Sequence, residues 1–459
     1  MTALRNRVTM DLMKKLPLYI FLVLGFLFSN NLLARDYSND LYFFDYWLFD
    51  NGYSQYLDKD SIKEGKPKNN LNIKTKKGRW GIDSDSNPDR DTLIYYFYKY
   101  QFSHLTGDTN TMQWQQVEVK PSKKPYEFKF NLIEDKFVKK QMQTKGILSY
   151  LYFQGDHVLI DEISPKDRLG EFMKNETRLM SMSMNKSVTS YILGHAICDG
   201  YIGGVDTRIN DWPLLSSSLY ENQKLIDLLN MSAGDQKYIN EFKKVNAGDL
   251  NYETSTIKQT ISLFFRDTVK SKSTYNYNGF VTQLLFNYIK HKTGDDFQKL
   301  LNKIFKDKVK IKHSVYFGKI KYVQNKLGNG HPMIRATRFD YLRISKAIMD
   351  DYQNDTCVGK YLKEIYKRRI SKGGRVKDEP AFNAGSSSYG GQFHMGYFGL
   401  KKRVVFGMGG FGGNKILIDV ENSRIIVLNS LHYNNTKYKY AAKKLLLNPI
   451  KLGKKSFKK

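Results

Sequence analysis

The chain has 459 residues, of which 41% are hydrophobic and 14% aromatic, and this composition excludes a disordered polypeptide. It carries 74 lysines and arginines against 45 acidic residues, a formal net charge of +29. The basic residues are spread along the chain without a zinc-finger or RNP-type signature, so they indicate solvated faces rather than a nucleic-acid partner. We therefore expect one large domain with an extension, or two domains.

The N-terminus has the pattern of an export signal. Lys14 and Lys15 precede an unbroken apolar run over residues 16–28, and Ala34 is a small residue at which a cleavable segment can end. The run is short for a membrane span. We predict a signal peptide over residues 13–34 behind a short upstream extension, with a helix of the core as the alternative. A periplasmic or secreted protein follows, without stable membrane insertion once the signal is cleaved.

Composition divides the mature chain into three parts. Residues 35–140 are rich in tyrosine and lysine and contain an aromatic run, LIYYFYKYQF, to which we assign no function. Residues 141–445 form the candidate catalytic domain, and residues 446–459 a basic tail. The only two cysteines, Cys198 and Cys357, neither demand nor exclude an oxidising compartment. Cys198 falls in an apolar helical stretch, where we expect it to be buried.

The candidate domain begins and ends with strand patterns. GILSYLYF and HVLIDE, joined by QGD, predict a β-hairpin. A helical region follows over residues 180–343, and RVVFGM, KILIDV and RIIVLNS then predict a second antiparallel group. This order predicts an α+β fold, in which one antiparallel sheet is built from both ends, flanked by helices, and interrupted by a helical insertion. YKYAAKKLLL predicts a final helix packed on the core, followed by a solvated end.

Ser183 and Lys186 form a Ser-x-x-Lys pattern at the head of an apolar helix, VTSYILGHAICDGYI. This spacing places the two side chains one helical turn apart on one face, so that the amine can reach the hydroxyl. Burial lowers the pKa of a lysine, which allows its neutral amine to act as a base, and a helix N-terminus favours negative charge on the serine oxygen. The spacing recurs at Ser255 and Ser456, but neither precedes a comparable apolar helix.

Several longer segments carry a family resemblance. They are GILSYLYFQGDHVLIDE, SMSMNKSVTSYILGHAICDGYIGGVDTRINDWP, LIDLLNMSAG, YNGFVTQLLFNYIKHKTG and GMGGFGGNKILIDVENSRIIVL. Over residues 141–445 the chain resembles serine hydrolases related to class C β-lactamases, and among them most of all the nylon-oligomer (6-aminohexanoate) hydrolases and related carboxylesterases. The resemblance implies a penicillin-binding-protein-like fold and acyl transfer through a serine ester, with neither metal nor cofactor.

The resemblance also implies the catalytic groups. Ser183 and Lys186 match the family's Ser-x-x-Lys motif. The second motif, a tyrosine followed two residues later by asparagine, serine or glycine, matches Tyr277 and Gly279 when counted back from TQLLFNYIKHKTG, and Tyr275 is the competing tyrosine in a shifted register. Lys186 and Tyr277 would hold the proton of Ser183 between them during attack on an ester or amide carbonyl.

The third family motif, a lysine or histidine, any residue and a glycine on a strand, is matched with a departure. Phe411 stands where the cation often stands, and Gly412 and Gly413 follow it. The resemblance implies an oxyanion hole formed by the backbone N–H of Ser183 and one from this segment. Loss of the cation favours uncharged acyl chains over substrates that carry a carboxylate. Weaker candidates for the pocket are Gly279, His394 and Asn414.

Other classes remain open. A Ser/His/Asp hydrolase would use His195 or His394, but no G-x-S-x-G elbow surrounds Ser183, and His195 lies more than three turns along the same helix. A non-catalytic cell-envelope binding protein would attach to an anionic polymer, and only the missing third-motif cation favours it. For an enzyme, β-lactamase or D-Ala-D-Ala peptidase activity is the alternative to cleavage of a small ester or linear amide. The sequence does not indicate the oligomeric state.

Overall fold

The computed structural model describes residues 114–170, 173–239, 257–320, 330–373, 385–431 and 439–457. The predicted signal peptide, the aromatic run of the tyrosine-rich region and Ser255 lie outside the described residues. Within these ranges, each helix is too short or too polar to cross a membrane.

The described strands form two sheets. In chain order they are β1 Trp114–Val119, β2 Lys129–Phe130, β3 Ile147–Gln154, β4 His157–Ile163, β5 Arg178–Met180, β6 Val315–Ile320, β7 Gly330–Thr337, β8 Ile370–Ser371, β9 Ser386–Gly390, β10 Phe393–Tyr397, β11 Val405–Gly410, β12 Asn414–Asp419 and β13 Arg424–Ser430. The large sheet has the order β2-β4-β3-β13-β12-β11-β10-β9-β8, and the small sheet has the order β1-β6-β7-β5.

Helices occupy much of the chain between the strands. The α-helices are α1 Lys136–Thr144, α2 Asn185–Cys198, α3 Leu225–Leu229, α4 Ile257–Thr260, α5 Phe280–Thr293, α6 Phe297–Leu301, α7 Arg338–Gln353, α8 Cys357–Lys367 and α9 Asn448–Leu452. Several of these helices have a side-chain N-cap. The hydroxyls of Thr337 and Thr356 accept hydrogen bonds from backbone N–H groups in the first turns of α7 and α8, and the carboxylate of Asp135 accepts one from the first turn of α1.

The large sheet is closed by strands from opposite ends of the domain, as the sequence predicts. β13 pairs antiparallel with β3, and Ile426 lies opposite Tyr152. Both strands are buried along nearly their whole length, which is why each appears in the sequence as a continuous apolar run. Alternate side chains face α7 on one side and a cluster containing Met142, Tyr150 and Leu446 on the other. The predicted α+β fold class and both predicted strand groups are confirmed.

Two details of the sheet prediction are wrong. The large sheet is not antiparallel throughout, because the two-residue strand β2 pairs in parallel with β4. The predicted helical region over residues 180–343 also contains β6 and β7, which pair antiparallel in the small sheet. Short apolar stretches such as β6 do not reveal by their periodicity whether they form strand or helix.

The basic tail packs on the large sheet further than predicted. Residues 443–447 form a helical turn that runs into α9, with Leu446 fully buried. The expected solvated end is wrong at least as far as Phe457, because its ring is 9% exposed and lies 4.9 Å from that of Tyr152, measured between centroids. Large apolar side chains spaced between the lysines supply the buried contacts.

A disulfide bond joins Cys198, at the end of α2, to Cys357, at the start of α8. The expectation that Cys198 is a buried thiol is therefore wrong, since the residue is half-buried and bonded to a partner 159 positions away. Cysteine spacing alone does not report such a long-range contact. The bond ties the helix that begins beside Ser183 to the helix that leads into β8.

Candidate active site

Ser183 lies in a short 3-10 turn, Met182–Met184, directly before α2. Its Oγ is hydrogen-bonded to Nζ of Lys186 at 3.2 Å, and Lys186 is only 7% exposed. Every residue from 177 to 196 is buried except Ser183, which is half-buried. The turn therefore presents one hydroxyl to the outside and keeps a lysine beside it inside the protein.

Met182, the residue before Ser183, has an unusual backbone conformation. Its φ is +47°, a left-handed value that costs energy for a side chain with a Cβ atom. It is also only 5% exposed. Strained backbone is common at functional sites, but eight other non-glycine residues of the described chain also have a positive φ, so this feature agrees with a role for the Ser183 turn without singling it out. The sequence carries no signal for it.

Tyr277 lies over the Lys186 side chain. It occupies the loop before α5, where it is half-buried between two buried neighbours, Asn276 and Asn278. Nζ of Lys186 lies 5.1 Å from the centroid of the Tyr277 ring. The ammonium form of Lys186 therefore gains a cation–π contact with Tyr277, and the same nitrogen is hydrogen-bonded to the Ser183 hydroxyl.

The competing tyrosine, Tyr275, lies beside a different lysine. Its ring is 3% exposed, and Nζ of Lys372 lies 5.7 Å from its centroid. Lys372 is itself buried and donates to Oγ of Ser386 at 2.7 Å. The fold thus brings Tyr277 to Lys186 and Tyr275 to Lys372.

His394 lies on β10 behind Tyr277. The two rings stack at an interplanar angle of 26° with centroids 5.8 Å apart, and Nζ of Lys372 lies 2.9 Å from Nδ1 of His394. Burial lowers the pKa of His394 well below its ordinary value, and three nearby ammonium groups lower it further, those of Lys372, Lys415 and Lys186. His394 is therefore a neutral ring that supports Tyr277. Lys372 has no motif or periodicity around it that would single it out from the sequence.

The third motif forms a turn after β11. Gly410, at the end of that strand, packs so closely on the Ser183 turn that a Cβ atom there would lie 2.8 Å from the Ser181 carbonyl oxygen. Phe411 follows, and Gly412 and Gly413 have φ values of +81° and +91°, which favour glycine. The glycines thus permit the tight turn that brings the Phe411 segment to the start of α2.

Asn414 supports this turn. Its side-chain nitrogen donates to the Phe411 carbonyl at 2.7 Å, and its side-chain oxygen accepts from the Ser430 backbone at 3.1 Å. The Tyr440 hydroxyl donates to the Gly413 carbonyl at 2.7 Å, so the C-terminal segment braces the same turn. Because both amide atoms of Asn414 are engaged inside the hairpin, we assign it to support of the turn rather than to the pocket wall.

Gly279 is half-buried and directly precedes α5. The side-chain oxygen of Asn278 accepts from the Val281 backbone at 3.0 Å and caps the start of that helix. The chain therefore turns into a helix immediately after Tyr277.

The three sequence motifs share one accessibility pattern. Ser183 is the half-buried residue of a buried segment, Tyr277 lies between two buried asparagines, and Phe411 is the half-buried residue of the otherwise buried segment 405–420. Each motif thus has one partly accessible side chain within a buried stretch of chain. In the described ranges, no group of three or more histidine, cysteine or acidic side chains is placed to hold a metal ion.

The other candidate groups lie apart from this arrangement. His195 is near the far end of α2, edge-on to Tyr191, and burial lowers its pKa to about 4. It lies twelve residues after Ser183, more than three helical turns away. Ser456 lies in the final helical turn, and the lysine three residues after it is outside the described residues.

Comparison with known proteins identifies the fold. No protein-family model matches the chain, and no curated protein matches it by sequence. Among solved structures, a Bacillus anthracis protein described as a 6-aminohexanoate-dimer hydrolase superimposes with a TM-score of 0.55 at 14% identity, covering 78% of this chain and 94% of its own. A Bacteroides dorei protein described as a β-lactamase gives 0.50 at 16% identity, covering 69% and 95%. The chain has the fold of the serine hydrolases related to β-lactamases. At these identities the likeness establishes the fold, and the chemistry has to be argued from the site.

Proposed function

We propose that the chain is a serine hydrolase that cleaves an ester or linear amide bond through an acyl-enzyme on Ser183. The observation that carries the proposal is the contact between Ser183 Oγ and the buried Lys186 Nζ at 3.2 Å, with the Tyr277 ring over the same nitrogen. A hydroxyl becomes a nucleophile when an adjacent base takes its proton, and these two side chains are the groups beside it that can do so.

The reaction then proceeds in two halves. Ser183 Oγ attacks the substrate carbonyl carbon and its proton passes to the Lys186–Tyr277 pair, while backbone N–H groups of Ser183 and of the Phe411 turn stabilise the oxyanion. When the tetrahedral intermediate collapses, the Tyr277 hydroxyl donates the proton to the leaving alcohol or amine. Water, deprotonated by the same pair, attacks the acyl-enzyme, and release of the acid returns a proton to Ser183.

Lys186 and Tyr277 can each accept the proton of Ser183, for different physical reasons. Burial of a lysine favours its neutral amine, whereas a phenol beside an ammonium is favoured in its ionised form. In either arrangement one proton is shared between Lys186 and Tyr277, so the pair is able to accept one proton from Ser183. His394, neutral and stacked on Tyr277, keeps the phenol ring in one orientation.

A fluorophosphonate probe tests the activity directly. We expect covalent labelling at Ser183, identified by peptide mapping, and none in a Ser183→Ala variant. Turnover of p-nitrophenyl esters and short linear amides, compared with a chromogenic cephalosporin, separates an esterase or amidase from a β-lactamase. Absence of labelling at any pH, together with binding to an anionic polymer, would support the non-catalytic envelope protein instead.

We also propose that the protein works in the periplasm or outside the cell. The N-terminal signal pattern supports this, and so does the Cys198–Cys357 bond, because disulfides persist in oxidising compartments. Expression of the full chain fused to a reporter that is active only after export tests it. Retention of the reporter in the cytoplasm would refute it.

A further inference from the structure

The loop that carries Tyr277 is fastened to one buried carboxylate, that of Asp235. Asp235 is 0% exposed. The side-chain nitrogen of Asn276 donates to its Oδ1 at 3.2 Å, and that of Asn278 donates to its Oδ2 at 3.3 Å. These two asparagines are the chain neighbours of Tyr277. One carboxylate therefore holds the chain on both sides of the phenol.

The loop depends on such contacts because residues 268–278 belong to neither a helix nor a strand. Its backbone is held at a few points, including Ser271 N to the Gly234 carbonyl at 2.9 Å and Asn276 N to the Met231 carbonyl at 2.7 Å. Both acceptors belong to the segment that ends at Asp235. The Tyr277 loop is thus hydrogen-bonded to the segment from 231 to 235.

A third donor completes the site around the carboxylate. The Tyr220 hydroxyl donates to Oδ2 of Asp235 at 2.8 Å, and its ring lies 5.1 Å from Phe265 and 5.9 Å from Phe280 between centroids. Burial raises the pKa of Asp235, while the hydrogen bonds from Tyr220 and the two asparagines act in the opposite direction. Three donors on two oxygens suit a carboxylate, since a protonated acid would turn one donor toward another.

We propose that Asp235 is a positioning residue for the hydrolase, which fixes Asn276 and Asn278 so that Tyr277 stays over Lys186. The proposal rests on the catalytic role proposed for Tyr277. Since Asp235 is fully buried, it acts through the loop and not on a substrate. Its loss should lower the rate of proton transfer at Ser183 and leave substrate binding nearly unchanged, because small displacements of a catalytic group are costly.

The test compares Asp235→Asn with Asp227→Asn. The Asp227 carboxylate also contacts this loop, through Lys270 at 3.3 Å, but it is 33% exposed and its contact lies seven residues before Tyr277. For Asp235→Asn we expect kcat for p-nitrophenyl butyrate and the rate of fluorophosphonate labelling to fall roughly ten- to hundredfold. The KM should stay within about twofold, and Asp227→Asn should match wild type in both. The double variant Asp235→Asn/Asn278→Asp should recover part of the rate, because the amide nitrogen at position 235 can then donate to the carboxylate at position 278.

A second readout does not require turnover. In protein labelled with 13C-tyrosine, the Tyr277 resonance is the one lost in Tyr277→Phe, and we expect its pH titration to move in Asp235→Asn but not in Asp227→Asn. If wild type is unreactive and the resonance still moves, the hydrolase proposal fails while the positioning role stands. If Asp235→Asn folds with unchanged rates and an unchanged resonance, the positioning role is overturned. If Asp235→Asn does not fold, Tyr220→Phe replaces it in the test, because this variant removes one donor and keeps the carboxylate. Tyr220→Phe should give a smaller change in the same direction. If its rates and its resonance are both unchanged, the proposal is overturned.

Discussion

Nζ of Lys186 lies 5.1 Å from the centre of the Tyr277 ring. A base shared between an amine and a phenol requires that the two stay within reach of one proton, and an exposed lysine would not remain there because its side chain has many rotamers. At 7% exposure the Lys186 side chain is confined. The start of α2 fixes the lysine, the loop before α5 fixes the tyrosine, and Ser183 is hydrogen-bonded to the lysine.

Ser183→Ala should abolish turnover and probe labelling while leaving the fold intact. The α2 helix has no side-chain cap at its first turn, so loss of the Ser183 hydroxyl should change the free energy of unfolding by less than about 1 kcal/mol. Rates of ester hydrolysis and a urea unfolding curve measure both effects. The matched control is Ser187→Ala, which removes a hydrogen bond to the Gln392 carbonyl and should keep activity. Wild-type rates in Ser183→Ala, combined with inactivity of Ser255→Ala, would show that the nucleophile is Ser255.

Lys186→Ala should reduce acylation by several orders of magnitude, because it removes a proton acceptor and the charge beside Tyr277. Stopped-flow measurement of p-nitrophenol release in the first turnover reports this step. Lys258→Ala, an exposed lysine from the second Ser-x-x-Lys pattern, serves as the control and should behave as wild type. An active Lys186→Ala protein would refute the shared-proton scheme.

The parts of the site that follow from local spacing could be predicted from the sequence. Ser183 and Lys186 are one helical turn apart, and the Phe411 turn follows a recognisable strand, so neighbouring residues specify both. Lys372 and Asp235 could not be predicted. Each acts through partners distant in the chain, and one lysine among so many carries no periodic signal.

The same distinction applies to the fold. The β3–β4 and β12–β13 hairpins are local, and both were predictable from apolar runs joined by turn residues. The small sheet was not, because β1 and β5 are distant in the chain from the β6–β7 pair, and β6 and β7 lack a clear alternation of apolar and polar residues. The Cys198–Cys357 bond likewise depends on how α2 and α8 pack.

Stability should fall as the pH drops from about 6.5 to about 4, partly because of His195. Burial lowers its pKa in the folded protein to about 4, from 6.5 in an exposed histidine. Between these two pH values the unfolded chain binds a proton at His195 that the folded protein does not bind. The free energy of unfolding therefore falls on acidification below pH 6.5, by on the order of 3 kcal/mol in total. Urea midpoints of wild type and His195→Gln, measured from pH 7 to 4, should diverge, because the His195→Gln protein should lose less stability on acidification. Parallel curves would exclude this contribution.

Removal of the disulfide should lower stability and leave the chemistry intact. The bond links residues 159 positions apart, and cross-links over long loops contribute about 2 to 5 kcal/mol. Cys198 is at the opposite end of α2 from Ser183, which for 14 residues is roughly 20 Å. We expect Cys198→Ser/Cys357→Ser to melt earlier yet label with fluorophosphonate at low temperature. Reductant should destabilise wild type and leave the double variant unchanged; a double variant as stable as wild type would contradict this.

Uncharged esters should be hydrolysed with higher kcat/KM than β-lactams that carry a carboxylate. The family resemblance implies that Phe411 and Gly279 replace a cation and an asparagine that would contact a substrate carboxylate and amide. A lost charge-assisted hydrogen bond is worth ~1.5 to 3 kcal/mol, or roughly ten- to a hundredfold. Measurement of p-nitrophenyl butyrate and a cephalosporin in one buffer decides between them. Lys372, which is buried beside His394, is one of the lysines near this site that could bind a carboxylate and reverse the order. A preference for the cephalosporin that disappears in Lys372→Met would replace the esterase assignment with a β-lactamase that holds its substrate through a different lysine.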